Sequence, residues 1–401
     1  MRDTTTKRTF KLCAAAISAL LVAGCAVEQP NVNEMSAAVM PQGWSNAPLP
    51  FGDAAAFKHF WLRWNDPGLA AVVERATLAN TDVLTAAANL RAAHASLISA
   101  NASLWPSATL DANTNRNRAQ HQTTTDYSAS ASGAWTLNLA GAQYWYADAA
   151  ELSLRASALS LEDVKESVAA EAAQAYVNLR AAQAQLALVR ATLENYRETA
   201  DTARWQFEAG TGAASEAEDA LVQLASARAR IPQIELSITQ YKNALARLTA
   251  LPTDQLPISA EGVIPVPPAG CAVSMPAALL ERRPDIRSAQ RSLEAAVESL
   301  RSAKSNYWPT LSIRGDIGTT AATVSALGAS GTGIIGLVGA LSVPVLNWGS
   351  LIAEEETAAA RLDEARASYI SVLLRALEET DNAIAGIASA ERRNSDLVLA
   401  V

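Results

Sequence analysis

The side chains that most often carry enzyme chemistry are scattered in this sequence. Its three histidines, His59, His94 and His121, do not have the spacing of metal ligands, so we expect no metal site. Acidic clusters at 354–356 and 378–379 fall within a long helical pattern, where a solvated helix surface is the usual explanation. Neither a nucleophile elbow nor a phosphate-binding loop occurs. The sequence therefore predicts that the protein is not an enzyme and uses no cofactor.

One cysteine does stand in a pattern with a defined chemistry. Four basic residues lie within the first eleven positions, an apolar run covers 12–23, and Gly24 precedes Cys25. This pattern resembles the lipobox of bacterial lipoproteins, in which a peptidase cuts before the cysteine and acyl chains are attached to it. An ordinary signal peptide with an incidental cysteine is the alternative. We expect residues 1–24 to be a lipoprotein signal peptide and Cys25 to carry covalent lipid. Ala26, where an aspartate would favour retention in the inner membrane, indicates the outer membrane.

Composition and net charge limit which classes of protein the chain can belong to. The formal net charge is −8, which gives no reason to expect nucleic acid as a partner. Hydrophobic residues make up 50% of the chain but aromatic residues only 5%, and much of the apolar share is alanine, which favours helices that approach each other closely. No window reaches the roughly 18 charge-free apolar residues of a transmembrane helix. Membrane contact would therefore need strands or lipid.

An internal repeat organises the chain. Segment 82–106 aligns with 285–309, and each copy has a heptad-like apolar stripe that ends in Trp-Pro, at Trp105-Pro106 and at Trp308-Pro309. Because proline disfavours helix in the residue before it, each copy predicts a long helix that stops there.

The apolar period changes to two after each Trp-Pro. Alternating runs predict one β-hairpin over 106–140 and a second over 309–346, with strands of about ten residues, the length that crosses a bilayer in a tilted barrel. The polar stretch 116–126 is predicted to be the loop of the first hairpin. One face would contact lipid and the other water, although two ordinary amphipathic surface hairpins are the alternative. The residues expected on the lipid face are Trp135, Leu137, Leu311, Ile313, Leu341 and Val343; those expected on the water face are Thr136, Arg314 and Asp316.

The longest helical pattern follows the first hairpin. It runs from Ala142 to Glu208, about 100 Å of helix at 1.5 Å per residue. A turn at Gly210 and Gly212 separates it from a return helix that ends near residue 250. The second copy contains an outgoing helix but no counterpart of the return helix, so we expect roughly 50–60 residues to be missing at the C-terminal end relative to two complete copies.

These patterns predict five segments. They are a signal peptide over 1–24, an anchor and equatorial segment over 25–66, a first repeat over 67–250, a Pro-rich linker over 251–276 and a second repeat over 277–401.

Four motifs give the chain a family resemblance. They are Trp61 with Asn65-Asp66-Pro67-Gly68-Leu69, the run from Leu280 to Arg287 that contains Arg282-Arg283-Pro284-Asp285, Tyr307-Trp308-Pro309, and Val343-Pro344-Val345-Leu346-Asn347-Trp348-Gly349. With them the chain resembles the TolC/OprM class of outer membrane efflux proteins, in particular the lipoprotein branch called the NodT family. The resemblance covers nearly the whole mature chain. It departs from the family at Ala140-Gly141, which replaces the usual Phe-Gly, and at the C-terminus.

The resemblance implies a mainly α-helical fold with a small β part. Long coiled-coil hairpins would form a periplasmic α-barrel, and four strands per protomer would contribute to a twelve-stranded transmembrane β-barrel in a homotrimer. It also implies a periplasmic adaptor and an inner-membrane pump of the resistance-nodulation-division type as partners. The turn at Gly210 and Gly212 would lie at the periplasmic tip, and residues 282–285 would form a structural turn and helix start.

The function that follows is an outer-membrane exit duct that passively conducts small molecules, anchored by lipid and extending into the periplasm. A duct for type I protein secretion is one alternative, and a periplasmic coiled-coil lipoprotein without a pore is another. The four alternating strands argue against the latter. The transported substrate and the particular pump and adaptor are not encoded in any recognisable motif.

Overall fold

The structure, a computed structural model, describes residues 30–41, 60–119, 122–259, 263–267 and 282–399. The predicted lipidation site Cys25, the histidines His59 and His121, and much of the Pro-rich linker lie outside these residues.

The described chain is mainly helical, with one small sheet. In chain order its elements are α1 (Val32–Ala37), a 3-10 turn (Trp61–Trp64), α2 (Pro67–Ala79), α3 (Thr81–Ala102), β1 (Ser107–Ala119), β2 (Gln122–Asn138), α4 (Ala142–Glu208), α5 (Ala214–Thr249), a 3-10 turn (Thr253–Gln255), α6 (Pro284–Ser305), β3 (Thr310–Ala321), a 3-10 turn (Val324–Ala326), β4 (Gly333–Ser342) and α7 (Trp348–Leu399). The predicted helix from Ala142 to Glu208 is confirmed with the same bounds. The fold class predicted from sequence is also confirmed.

The chain divides into two units, each discontinuous in sequence. One comprises Met1–Met40, Leu90–Leu159 and Asp285–Glu379, and contains the sheet; we call it the sheet unit. The other comprises Pro41–Asn89, Ser160–Pro284 and Thr380–Val401, and we call it the helical unit. Each unit draws residues from both predicted repeats.

The helical unit has a conventional buried core. Leucines and small residues spaced three and four apart on α2, α4 and α5 are removed from solvent, as expected where each helix covers the apolar stripe of its neighbours. Its largest fully buried apolar side chains are Leu69, Val72, Tyr176, Leu179, Leu245 and Leu248.

A buried asparagine separates α2 from α3. The Oδ1 atom of Asn80 accepts a hydrogen bond from the Asp82 amide at 2.7 Å, which caps α3, and its Nδ2 donates to the Leu248 carbonyl at 3.3 Å. A polar side chain that is 1% exposed is stable there because both ends of its amide are hydrogen-bonded.

The sheet is antiparallel and has the strand order β1-β2-β3-β4. Both predicted hairpins are present, and they join through β2 and β3, where Leu137 lies opposite Leu311. The outer edges of β1 and β4 have no partner strand within the described sheet.

The polar stretch 116–126 was wrongly predicted to be a loop. Arg116 pairs with Thr125, and the ladder continues to Ala119 opposite Gln122, so β1 and β2 run on for 13 and 17 residues. Backbone hydrogen bonds hold this extension, whose residues are polar except for Ala119. Because polar side chains stand on both faces, the alternation that indicates a strand is absent from the sequence.

Candidate functional site: a sheet with one apolar face

The strand register gathers the apolar residues of four strands on one side of the sheet, which we call the apolar face. Residues directly opposite each other on neighbouring strands point to the same side. Leu110 pairs with Ala131, Ala131 with Ile317, and Ile317 with Ile335, and this row spans the sheet. Other members of the face are Trp135, Leu137, Leu311, Ile313, Leu337 and Leu341. Val343 lies beyond the end of β4.

Most of these side chains are exposed, while Trp135, Leu137, Leu311 and Ile313, on the two central strands, are half-buried. Leu110 is 87% exposed, Ile335 83% and Leu337 80%, values that contrast with the buried leucines of the helical unit. Contiguous exposed apolar surface of this kind marks a contact with lipid or with another protein. The alternating pattern over strands of this length is typical of a sheet with lipid on one side.

The opposite side, the polar face, carries Thr136, Arg314 and Asp316 as expected from the sequence. The hydroxyl oxygens of Thr109 and Ser132 lie 2.8 Å apart across β1 and β2. Ile334 and Val338 also stand on this face, so its polarity is incomplete on β4.

Side-chain hydrogen bonds fix the sheet to the helices of its own unit. Asn138, 7% exposed, donates through Nδ2 to the Ser305 carbonyl at 2.9 Å and accepts the Ala140 amide at 2.8 Å. The Trp135 indole donates to the Leu104 carbonyl at 3.0 Å. These bonds hold the last residues of β2 against the C-terminal ends of α3 and α6.

An ion pair between a buried glutamate and a half-buried arginine lies on α6 in the same unit. Arg301 donates to both carboxylate oxygens of Glu298, at 2.9 and 3.1 Å, and its guanidinium stands over the Trp145 ring at 5.3 Å. Burial raises the pKa of the Glu298 carboxyl, an effect that the Arg301 charge and hydrogen bond partly offset, while the negative charges of Asp148 and Glu294 raise it further. The pair joins α6 to the start of α4 through Trp145, which indicates a structural role.

The Asn-Asp-Pro-Gly motif has a clear structural explanation in the helical unit. Asp66 caps α2 by accepting the amides of Gly68 and Leu69, and Pro67 occupies the first helical position. Asp66 also accepts the hydroxyl of Tyr176 on α4, at 3.0 Å. A Cβ atom at Gly68 would lie 2.6 Å from that hydroxyl oxygen, so only glycine leaves room for the contact.

Tyr176 and Arg180 extend this network, which sequence reasoning missed. Arg180 is 4% exposed and donates to the Tyr176 hydroxyl at 2.9 Å and to the Ser259 carbonyl at 3.0 Å. Burial raises the pKa of the Tyr176 hydroxyl, Arg180 lowers it and Asp66 raises it. An open cleft of about 730 Å³ adjoins the network. The sequence signal was available in principle, because an arginine on an otherwise apolar helix stripe requires buried partners.

The turn between α4 and α5 depends on its two glycines. Gly210 adopts a φ of +73°, and the amides of Thr211 and Gly212 both donate to the Gln206 carbonyl, at 2.9 and 3.0 Å. A Cβ atom at Gly212 would lie 3.0 Å from the Gln206 Cβ. This arrangement satisfies the carbonyls at the end of α4 and reverses the chain.

The remaining predicted site residues lie at the start of α6. The helix begins at Pro284, which is buried, and Asp285 stands in its first turn, where a negative charge suits the helix N-terminus. Arg282 is exposed and Arg283 half-buried. Among the described residues no cluster of His, Cys, Asp and Glu could hold a metal ion. No helix of the described chain is apolar over enough length to cross a bilayer.

Comparison with known proteins agrees with this architecture. The chain matches the family described as outer membrane efflux protein over residues 72–251 and 275–397, about three quarters of its length. It is 27% identical to the toluene efflux pump outer membrane protein TtgC of Pseudomonas putida, over 94% of this chain and 80% of that protein. It is also 27% identical to nodulation protein T of Rhizobium leguminosarum bv. trifolii, over 91% of this chain and 79% of that protein.

Solved structures give the same result. The outer-membrane channel OprN superposes with a TM-score of 0.83 at 27% identity, over 93% of this chain and 84% of that one. The chain therefore belongs to the outer membrane efflux protein family. It is a channel protein of the bacterial outer membrane that takes part in efflux, and it is not an enzyme.

Proposed function

We propose that three copies of this chain close their sheets into one twelve-stranded barrel, which forms the outer-membrane exit of a tripartite machine for small molecules. The observation that carries the proposal is the four-stranded sheet with two unpaired edges and one exposed apolar face. Open sheet edges cannot stand in lipid, because each unpaired amide and carbonyl there costs several kcal/mol. Cyclic association of identical copies, with β4 of one beside β1 of the next, removes every edge.

A periplasmic adaptor and an inner-membrane pump complete the machine in this proposal, which the similarity to a toluene efflux pump outer membrane protein supports. The turn at Gly210 and Gly212 is the proposed contact with the adaptor. It lies at the end of a 67-residue helix, about 100 Å long, that starts directly after β2. Small apolar molecules such as solvents or drugs are the proposed cargo.

Cysteine cross-linking tests the closure. Within one copy β1 and β4 are three strand spacings apart, about 14 Å, which is too far for a disulfide. We therefore expect Ala112→Cys combined with one of Ile335→Cys, Leu337→Cys or Gly339→Cys, in a Cys271→Ser background, to give covalent trimers on mild oxidation in the outer membrane. Ala112→Cys with Ile313→Cys is the matched control, because β3 has both of its edges paired within one copy. Membrane-inserted protein that never forms cross-linked dimers or trimers would contradict the proposal.

Anchoring by lipid is a separate part of the proposal, supported by the small residues before Cys25. Labelled palmitate should be incorporated into the wild-type chain and not into Cys25→Ala, whose precursor should stay uncleaved by the lipoprotein peptidase. Equal labelling of both chains would contradict lipidation at this cysteine and leave the barrel proposal untouched.

A further inference from the structure

The two faces of the sheet carry charge in different ways. On the apolar face of the described strands every charged residue is an arginine: Arg116 and Arg118 on β1, both exposed. The polar face carries three aspartates and one arginine: Asp111, Asp126, Asp316 and Arg314. Charged residues of both signs are expected on a face that contacts water. Two arginines without any acidic residue on the face that contacts lipid need a different explanation.

The position of the arginines along the strands supplies that explanation. Trp135 and Tyr127 both stand on the apolar face of β2, eight residues apart, which is about 27 Å along the strand. With the usual barrel tilt this corresponds to about 20 Å of height, close to the apolar band of a transmembrane barrel, and aromatic residues border such bands. Arg116 and Arg118 pair with Thr125 and Thr123, two and four residues beyond Tyr127.

The arginines therefore lie just above one boundary of the apolar band, at headgroup level. All four strand connections to helices are at the other end of the sheet, so this boundary is the outer one. A guanidinium donates paired hydrogen bonds that match a phosphate group in geometry and charge.

A hollow on the sheet lies below the arginine pair. It measures about 410 Å³ and is lined by Leu110, Ala112, Ala129, Ala131 and Ile317 of the apolar face, together with Asp111 and Ser130, which belong to the polar face. Ala112 is four residues from Arg116 along β1, about 14 Å. The alanines leave space between the larger side chains of Leu110 and Ile317. An acyl chain of a lipid whose phosphate is bound by the arginines would pass at this depth.

We propose that Arg116 and Arg118 bind the phosphate groups of the glycolipid in the outer leaflet of the outer membrane, with one of its acyl chains in the hollow. This inference rests on the proposed closure of the sheet into a lipid-embedded barrel. The site holds the lipid at the barrel wall near the hairpin tip and plays no part in conduction.

Binding of defined lipids to the assembled, purified chain tests the site by native mass spectrometry. The probes are bisphosphorylated lipid A, the same lipid A without phosphates, and phosphatidylglycerol. We expect Arg116→Gln with Arg118→Gln to weaken binding of bisphosphorylated lipid A about 30-fold, the effect of two charges near a membrane surface. Binding of the lipid A without phosphates should not change, and binding of phosphatidylglycerol, which has a single phosphate, should weaken less than that of bisphosphorylated lipid A.

A transplanted pair is the matched control. Adding Asn115→Arg and Asn117→Arg to the double variant restores the net charge on the polar face of the same strand, and we expect it not to restore binding. Arg116→Lys with Arg118→Lys should keep the assembly intact and bind several-fold more weakly than wild type, because the paired guanidinium bonds are lost.

Each other outcome overturns the inference. Equal binding by wild type and the glutamine variant removes the arginines from the site, recovery by the transplanted pair shows a net-charge effect, and equal loss of phosphatidylglycerol shows general attraction to anionic lipid. Failure of the wild-type chain to assemble as three copies would overturn the barrel proposal as well. Intact trimers with unchanged lipid A binding would overturn the lipid site alone.

Discussion

The helical unit and the sheet place their large apolar side chains in opposite ways. In the helical unit Leu179, Leu245 and Leu248 are completely buried, whereas in the sheet Leu110 and Leu337 are at least 80% exposed. The two regions are therefore suited to different solvents: the helical unit buries its leucines away from water, and the sheet exposes its leucines to lipid. Apolar residues indicate a core only when the surrounding solvent is water.

Truncation of one leucine in each region should show the largest difference between the helical unit and the sheet. Leu245→Ala removes buried atoms and leaves a cavity between α2, α4 and α5, so we expect it to lower the free energy of unfolding by about 2–5 kcal/mol. Leu337→Ala should lose only the free energy of transferring the removed atoms out of water, because lipid chains fill the space and no cavity remains. Thermal unfolding of both variants in the same lipid nanodiscs measures the difference, and equal losses would mean that Leu337 has a protein neighbour in the assembly.

Introduction of charge should sharpen the contrast between the two faces of one strand. Ile335→Arg puts a guanidinium on the apolar face, in the row midway between Tyr127 and Trp135, and should cost about 2–4 kcal/mol. Ile334→Arg, one residue before it, puts the guanidinium on the polar face and should be nearly neutral. The amount of assembled trimer in the outer membrane is the readout. Similar losses in both variants would show that the face assignment is wrong.

The helical unit also contains a tight contact that tests its packing. Gly68→Ala would place a Cβ atom 2.6 Å from the Tyr176 hydroxyl oxygen, and overpacking of this kind typically costs about 1–3 kcal/mol. In a Tyr176→Phe background the same change should cost much less, because the clashing oxygen is gone. A double-mutant cycle on unfolding midpoints gives the coupling, and additive losses would contradict the contact.

The smallest expected effect is a pH dependence in the sheet unit. Because the folded-state pKa of Glu298 is raised, the protonated carboxyl is favoured by folding. Its stabilising contribution is therefore complete below the ordinary carboxyl pKa and is lost as the pH rises through the folded pKa. Glu298→Gln should remove this dependence, so the wild-type chain should gain stability relative to the variant as the pH falls from neutral. A difference between the two chains that does not change with pH would contradict the raised pKa.

Much of the fold could be predicted because local periodicity carries it. The 67-residue helix α4 was predicted with its correct ends, since a three-four apolar stripe marks its length and Gly210 follows its end. Both hairpins were predicted from alternation after Trp-Pro. The extension of β1 and β2 past Arg116 was missed, because strand pairing there depends on backbone hydrogen bonds between residues that show no apolar alternation.

The sequence alone therefore determined the helices, the two amphipathic hairpins and the absence of a catalytic constellation, all of which follow from spacing along one element. Only the tertiary structure decided which residues of different elements meet. The pairing of β2 with β3 brings Leu137 opposite Leu311 and gathers one apolar face from both hairpins. Gly68 likewise contacts Tyr176, more than a hundred positions away. Arg180 is buried with a hydrogen bond to Ser259, which lies 79 positions further along the chain. Such contacts depend on long-range packing, which leaves no periodic trace in the chain.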